Sequence, residues 1–197
     1  MKTLHTEKEA LKKAIFGWQL LSEEVWNDFF TCWQPVTYKR KAILTEAGET
    51  ERYLYFVLDG VQRAYSLNEG QRETTLLFTS EGSFSGIADS FQLQQPSRYY
   101  LETVTPSRLL RLAYSDFARL SALHPSLERW GRIATARTLS GLMEWHMELM
   151  TRSAEDKFRV LLTRNPHVLH QVPHKYLASY IGLYPTTFSK LLATVRV

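Results

Sequence analysis

The sequence predicts an α+β fold in which helices flank a small antiparallel β-barrel or sandwich. Apolar residues recur three or four apart between residues 7 and 31, which is typical of a helical segment. Short strand-like segments separated by glycine and proline turns occupy residues 36–112. Helical spacing returns after residue 115. The 197 residues, 44% of them hydrophobic, can bury the core of one large domain or two small ones.

Local signals mark a helix start and the end of the helical segment before the barrel. Turn signals also separate the strands within the barrel. The sequence Ser22-Glu23-Glu24 is a plausible helix start inside the first helical segment, and Pro35 ends that part. The segment YLYFVLDGVQRAYSL predicts two strands joined at Asp59-Gly60, a pair that tolerates positive φ. A second turn is predicted at 68–70, and Thr105-Pro106 separates the last two strands.

One long helix is predicted from Pro125 to about Thr151. Its apolar residues cover more than one stripe, so the helix must be buried on more than one side. We expect it to pack both on its own barrel and on a second copy of the chain, although a core helix inside a monomer remains the alternative. The predicted dimer contacts are Trp130, Ala134, Leu142, Trp145 and Leu149.

The carboxyl-terminal segment predicts several further helices. Ser153-Ala-Glu-Asp156 is similar to a capping box, and the helix that it begins is expected to end at Asn165-Pro166. In YLASYIGLYPTTFSKLL, Gly182 permits a left-handed turn between two helices, and Pro185 suits the first position of the second helix. This predicts a helix-turn-helix, with a plain αα-hairpin as the alternative. The residues expected to be buried are Leu177, Ala178, Ile181, Phe188, Leu191 and Leu192.

The net charge of +4 is concentrated at the carboxyl-terminal end. Seven basic residues stand against two acidic ones in 151–197, and the first 150 residues hold one more acidic than basic residue. This distribution favours a polyanion as the partner of the carboxyl-terminal part, and an ordinary solvated surface is the alternative.

Other classes of protein are disfavoured by what the sequence lacks. The single cysteine, Cys32, excludes a disulfide framework within the chain, and no apolar run is long enough to span a bilayer, so a cytoplasmic location is expected. None of the six histidines lies in 36–112, which argues against a barrel metalloenzyme. His170 and His174 are four apart, but solvent or DNA phosphate is a more common environment for such a pair than a metal. We therefore expect neither an enzyme nor a metal site.

The order of these segments resembles the Crp–Fnr family of bacterial transcription regulators over nearly the whole chain. The resemblance is carried by AGETERYLYFVLDGVQRAYSLNEGQRETTLLFTSEGSFSG, by the capping box at Ser153, and by VPHKYLASYIGLYPTTFSKLL. It implies a cyclic-nucleotide-binding-like jelly roll in 1–114, a dimerisation helix in 115–151 and a DNA-binding helix-turn-helix domain in 152–197. It also implies a homodimer on a two-fold symmetric DNA site, with RNA polymerase as a further partner.

The resemblance assigns DNA contacts to the second helix of the pair. Thr186 and Ser189 are candidates for base edges, and Thr187 and Lys190 for phosphate, although these roles can interchange. Family members with strong base readout carry Glu and Arg where this chain has Thr186 and Lys190. Lysine cannot make the two-pronged guanine contact of arginine, so we expect weaker guanine readout. A ligand-sensing or protein-interaction module without specific DNA binding is therefore the alternative function.

The resemblance also assigns a small-molecule effector site to the barrel. Gly86 fits the family's glycine, but Ile87 stands where the ribose-binding carboxylate belongs. Ser97-Arg98 falls at the family's Arg-Ser pair in reversed order, and a shift of one residue turns a strand side chain to the opposite face. Cyclic AMP and cyclic GMP are therefore not expected as ligands, whereas another effector or an empty barrel stays open. The candidate pocket residues are Phe84, Gly86, Ile87, Ser97 and Arg98.

Overall fold

The computed structural model describes residues 2–164 and 168–195. Its helices and strands follow the predicted order, with two helices before the strands and six after them in this part of the chain, and one short helix, α3, lies among the strands. In chain order the elements are α1 (Lys2–Phe16), α2 (Glu23–Thr31), β1 (Gln34–Tyr38), β2 (Ile43–Thr45), β3 (Tyr53–Asp59), β4 (Gln62–Leu67), β5 (Glu73–Thr79), β6 (Phe84–Ser85), α3 (Ala88–Leu93), β7 (Tyr100–Thr103), β8 (Ser107–Ala113), α4 (Tyr114–Leu123), α5 (Pro125–Thr151), α6 (Ala154–Arg164), α7 (Val168–Gln171), α8 (His174–Tyr180) and α9 (Pro185–Thr194).

The strands form two four-stranded antiparallel sheets, in the orders β1-β8-β3-β6 and β2-β7-β4-β5. Asp59-Gly60 joins two strands as predicted, but β3 and β4 lie in different sheets, so the turn crosses from one sheet to the other. Gly60 has a φ of 94°, and a Cβ there would lie 2.5 Å from the carbonyl oxygen of Pro106. Glycine is required at this crossing because the chain passes so close to another strand.

The barrel has a buried interior and a second apolar layer outside its first sheet. The interior is filled from both sheets by Tyr55, Val57, Ala64, Ile87, Leu101 and Leu109. Alternate residues of the first sheet, such as Phe56 and Leu110, point outward into a helical layer. Both faces of this sheet are therefore buried.

The amino-terminal segment is two helices rather than one, with a break between Gly17 and Ser22. The side-chain oxygen of Ser22 accepts a hydrogen bond from the backbone N–H of Val25 at 3.3 Å, which caps α2 as its sequence suggested. Both helices cover the outer face of the first sheet, where an aromatic cluster forms around Trp130. Its ring neighbours are Trp18, Phe29, Phe84 and Phe117.

Helix α5 has its predicted bounds, with Pro125 at its first turn, but two predicted dimer contacts need correction. Trp130 is only 1% exposed because it fills the aromatic cluster of its own chain, so it cannot touch a second copy. Trp145 stacks on Tyr180 at 4.4 Å between ring centres, so it packs on the carboxyl-terminal helices. The half-buried Ala134 also packs on the amino-terminal core. Leu149 is half-buried, and Leu142 is exposed.

The carboxyl-terminal helices enclose a second core, built on residues such as Phe158, Leu177 and Phe188, that also includes Val61 and Val104 of the barrel. Ser153 caps α6, since its side-chain oxygen accepts a hydrogen bond from the Asp156 N–H at 3.1 Å. The predicted helix end at Asn165-Pro166 lies outside the described residues. Leu192 was expected to be buried but is 37% exposed, because Leu191 and Val195, and not Leu192, pack on the core around Phe188.

Candidate nucleic-acid interface and ligand site

Helices α8 and α9 form a tight pair around one turn. The inner side of α8 is completely buried at Leu177 and Ala178, and so is Ile181, which ends the helix. Gly182 has a φ of 68°, and the N–H of Leu183 donates to the carbonyl oxygen of Ala178 at 2.8 Å, which ends α8 in a left-handed turn. Pro185 then begins α9. The second helix is thus held at a fixed angle to the first.

The outer face of α9 carries the residues predicted to contact DNA. Thr186, Ser189 and Lys190 are exposed, and Thr187 is half-buried. The Ser189 hydroxyl donates its proton to the carbonyl oxygen of Pro185 at 2.9 Å. Its oxygen can therefore still accept a hydrogen bond from a partner. Lys190 forms no ion pair with any carboxylate of residues 2–164 or 168–195. The structure therefore brings these four residues together on one short helix, where the Lys190 ammonium can pair with an anion from outside.

A buried arginine of the barrel supports the first helix of the pair. Arg63 on β4 is fully buried; its Nε donates to Glu102 at 2.6 Å and its Nη2 to Glu73 at 2.6 Å. Its Nη1 donates to the hydroxyl of Thr75 at 3.3 Å. The two carboxylates and the hydroxyl satisfy the guanidinium that burial has removed from water.

Two aromatic rings lie within cation–π distance of this guanidinium. The ring centre of Tyr65 lies 4.2 Å from the Arg63 guanidinium carbon, and that of Tyr176 on α8 lies 3.5 Å from it. Near this contact, the Thr75 N–H donates to the Ser179 hydroxyl oxygen at 3.0 Å. Helix α8 is therefore joined to the second sheet by a cation–π contact and a hydrogen bond. No local sequence pattern marks Arg63, because its partners are distant in the chain.

Tyr180 joins three parts of the molecule. Its ring stacks on Trp145 of α5 and meets Phe78 of β5 edge-on at 5.2 Å. Burial raises the pKa of its hydroxyl to about 12.

Glu148 forms two ion pairs at the end of α5. Its carboxylate accepts from Arg164 at 2.6 Å and from Arg152 at 3.2 Å. The hydrogen bond from Arg164 is the main cause that lowers the pKa of this carboxyl. Together with the Tyr180 contacts, these ion pairs fix α5, α6 and α8 against one another.

The predicted effector residues do not converge on one pocket. Phe84 lies outside the barrel interior, since its ring packs on Phe56 and Trp130 in the helical layer, and its assignment to the pocket is therefore wrong. Arg98 is exposed, with its guanidinium 5.8 Å from the ring centre of Tyr99, so it points away from the interior. Ser97 is buried, but its hydroxyl is used within its own loop, where it donates to the Tyr99 carbonyl oxygen.

Glu51 is the ionisable group at Gly86 and Ile87, and no motif in the sequence pointed to it. Its carboxylate is buried and accepts from the Ile87 N–H at 3.1 Å, the Thr45 hydroxyl at 2.7 Å and the Tyr53 N–H at 3.2 Å. Burial raises the pKa of this carboxyl, although the hydrogen bonds oppose that shift. A carboxyl group of the chain itself thus holds the backbone donor next to Gly86. Glu49, two residues earlier, is exposed, and no local pattern distinguishes the two acids.

No group of three or more His, Cys, Asp or Glu able to hold a metal ion occurs in the part of the chain that the structure describes. No helix within 2–164 or 168–195 is both long and apolar enough to cross a membrane.

Residues 35–124 match the family model described as the cyclic nucleotide-binding domain. This part of the chain is therefore similar to a cyclic nucleotide-binding domain. The predicted family resemblance is thereby confirmed. Over 90 residues the chain is 27% identical to the cAMP-activated global transcriptional regulator CRP of Pasteurella multocida. That match covers 46% of this chain and 43% of the relative, so the chain spans less than half the length of the curated relative that it matches.

Solved structures of Crp–Fnr type regulators share the fold beyond this domain. FixK2 from Bradyrhizobium japonicum superimposes with a TM-score of 0.72 at 16% identity, over 82% of this chain and 83% of FixK2. The c-di-GMP responsive global regulator CLP of Xanthomonas campestris gives a TM-score of 0.63 at 17% identity, over 86% of this chain and 89% of CLP. At these identities the likeness shows the fold alone.

Proposed function

We propose that this chain is a transcription regulator that binds double-stranded DNA as a homodimer, with α9 of each protomer in a major groove. The observation that carries the proposal is the α8–α9 pair. One helix is completely buried on its inner face, the turn at Gly182 is fixed, and the second helix presents Thr186, Ser189 and Lys190 to solvent. This arrangement suits a helix that enters a groove while its partner helix supports it. The cyclic nucleotide-binding domain of the same chain supports a regulator rather than an enzyme.

The exposed apolar face of α5 supports the homodimer. Leu139, Leu142, Met143, Met147 and Met150 are all exposed, at spacings of three and four residues that place them on one side of the helix. A second copy of the same helix, related by a two-fold axis, would cover this stripe with a stripe of the same kind. The two α9 helices of such a dimer would read half-sites about 10 base pairs apart.

The barrel is proposed to act without a cyclic nucleotide. Ile87 offers no carboxylate to a ribose, Arg98 lies outside, and the Glu51 carboxyl group already occupies the Ile87 N–H that a cyclic phosphate would need. This leaves two candidate modes of the function. One is DNA binding regulated by another small molecule, and the other is constitutive DNA binding. Thermal melting with cyclic AMP and cyclic GMP tests this, since a bound ligand raises the melting temperature by mass action. A rise with either nucleotide would contradict the proposal.

Fluorescence anisotropy with a random-sequence duplex of ~40 base pairs tests DNA binding itself. The logarithm of the affinity should fall linearly with the logarithm of the salt concentration, by about 0.9 for each phosphate that the chain neutralises. Lys190→Ala should reduce both affinity and slope, whereas Lys13→Ala, which removes one exposed charge from α1, should change neither. Absence of binding at ~50 mM salt, where electrostatic contacts are strongest, would reject DNA binding and leave the interaction module.

A further inference from the structure

A run of three cationic side chains lies on the barrel and has no partner there. Lys39, Arg40 and Lys41 form the loop between β1 and β2, and all three are exposed. No carboxylate within 2–164 or 168–195 pairs with any of them. We call residues 39–41 the basic loop. Its charge is free to attract an anion from outside the chain.

The backbone of the basic loop is held in place by one buried residue. The hydroxyl of Thr103, which is fully buried, donates to the Lys39 carbonyl oxygen at 2.6 Å and accepts from the Ala42 N–H at 2.9 Å. The Lys41 N–H donates to the Thr103 carbonyl oxygen at 2.7 Å, and Lys41 has a φ of 62°, which is uncommon for a residue with a side chain. Because the loop is already ordered, little backbone entropy is lost when it binds a partner.

The basic loop faces the carboxyl-terminal helices across a cleft of about 550 Å³. Arg40 lines one side of this cleft, and His170 and His174 line the other. The ring centre of His174 lies 5.6 Å from that of Phe188 in α9. His174 thus packs near the buried side of α9, and the cleft lies between the barrel and the carboxyl-terminal helices. No carboxylate lines the cleft within the described part of the chain.

We propose that the basic loop binds the phosphate backbone of DNA beyond the segment that α9 contacts. This inference rests on the proposed function, because it extends the same DNA-binding surface onto the barrel. Three adjacent exposed cations suit a linear polyanion, since B-DNA presents a phosphate every ~3.4 Å along each strand. A small anion is instead usually held by several donors that converge on it. Here the three side chains are exposed, and none is buried as part of an enclosed site.

The test compares two triple variants that lose the same charge. The loop variant is Lys39→Gln, Arg40→Gln and Lys41→Gln. The control variant is Lys13→Gln, Arg52→Gln and Arg129→Gln, whose side chains are exposed and do not line the cleft. Each is titrated against random-sequence duplexes of ~20 and ~40 base pairs, so that only the longer duplex extends well past two half-sites spaced by one helical turn. Equal melting temperatures of the two variants confirm that neither has lost its fold.

The loop variant is expected to bind the long duplex roughly tenfold more weakly than the control variant, with a salt slope smaller by about 0.9 for each phosphate that it no longer neutralises. The two variants should bind the short duplex alike. Equal binding of the long duplex by both variants would overturn the inference and leave the proposed function standing. No binding of either duplex by the unaltered chain would instead reject the proposed function. If inorganic phosphate raises the melting temperature of the unaltered chain but not of the loop variant, while DNA binding is the same, the loop is a small-anion site and the inference is wrong.

Discussion

The guanidinium carbon of Arg63 lies 3.5 Å from the ring centre of Tyr176, and this contact joins the barrel to the first helix of the carboxyl-terminal pair. Both residues are buried, and the same guanidinium is bonded to Glu102 and Glu73 on its own sheet. A change in the barrel that moves these carboxylates would therefore move the ring on α8 as well. Arg63 is thus one of the contacts, with Thr75–Ser179 and Phe78–Tyr180, that couple the sheet to the helical pair.

Arg63→Met is expected to lower the free energy of unfolding by about 3–5 kcal/mol, because it leaves the buried Glu102 without its cation. Urea denaturation followed by tryptophan fluorescence measures this loss. Adding Glu102→Gln to the variant should recover part of it, since the uncompensated charge is then removed. Arg72→Met, an exposed arginine on the nearby turn, serves as the control and should change stability by less than about 0.5 kcal/mol. A loss from Arg63→Met no larger than that of the control would contradict the role of this network.

The network around Arg63 also shows where sequence patterns stop being informative. Helix ends could be predicted because their signals are local: Ser22, Pro125 and Gly182 act through neighbouring residues. Periodicity likewise showed that α5 is apolar on several sides. It could not show which side packs on the chain itself, and so Trp130 was placed wrongly in the dimer interface. The partners of Arg63 lie on β5, β7 and α8, and a pairing between elements so far apart leaves no mark within any one of them.

The exposed stripe of α5 is expected to hold the two protomers together. Leu139→Asp with Met143→Asp should convert dimers into monomers in light-scattering measurements, because each charge would be buried against the same charge of the partner helix. Gly141→Asp is the control, since residue 141 lies on the opposite side of the helix and a Cβ there meets nothing within 4 Å. A double variant that remains dimeric would mean that this stripe is not the interface.

Trp145→Asp should behave differently from the variants in the stripe. Trp145 stacks on Tyr180, so its loss should loosen the helical pair from α5 and lower the melting temperature, rather than separate the protomers. Hydrogen exchange of α8 amides and sizing of the same sample distinguish the two effects. Faster exchange in α8 with an unchanged mass supports the intrachain role. Monomers with unchanged exchange would return Trp145 to the dimer interface.

Glu51 should make stability depend on pH with a known sign. Burial raises the pKa of its carboxyl in the folded state above the ordinary value of 4.5, so the folded state binds a proton more tightly than the unfolded chain does. The stability advantage of the protonated form is fully present below the unfolded pKa and is lost as pH rises through the folded pKa.

The difference in unfolding free energy between the unaltered chain and Glu51→Gln should therefore fall as pH rises above 4.5, by at most about 1.4 kcal/mol per pH unit, and then level off. Urea denaturation at a series of pH values measures the difference. Glu49→Gln, at the exposed neighbouring acid, should show no such slope. If the two variants have the same pH dependence, the carboxylate of Glu51 is not perturbed by burial.

Tyr184 leaves the start of α9 without a side-chain cap, and a replacement should strengthen that helix. Tyr184 is the residue before Pro185, its backbone is extended, and its side chain forms no hydrogen bond with the first turn. Tyr184→Ser would supply a hydroxyl oxygen to the free N–H groups there and should stabilise α9 by about 1 kcal/mol. Slower hydrogen exchange of the α9 amides is the expected result. Tyr184→Ala removes the same ring, including its contact with the Arg72 guanidinium, without adding an acceptor, so the difference between the two variants isolates the cap. If both exchange equally fast, the first turn of α9 is already satisfied without a side-chain acceptor.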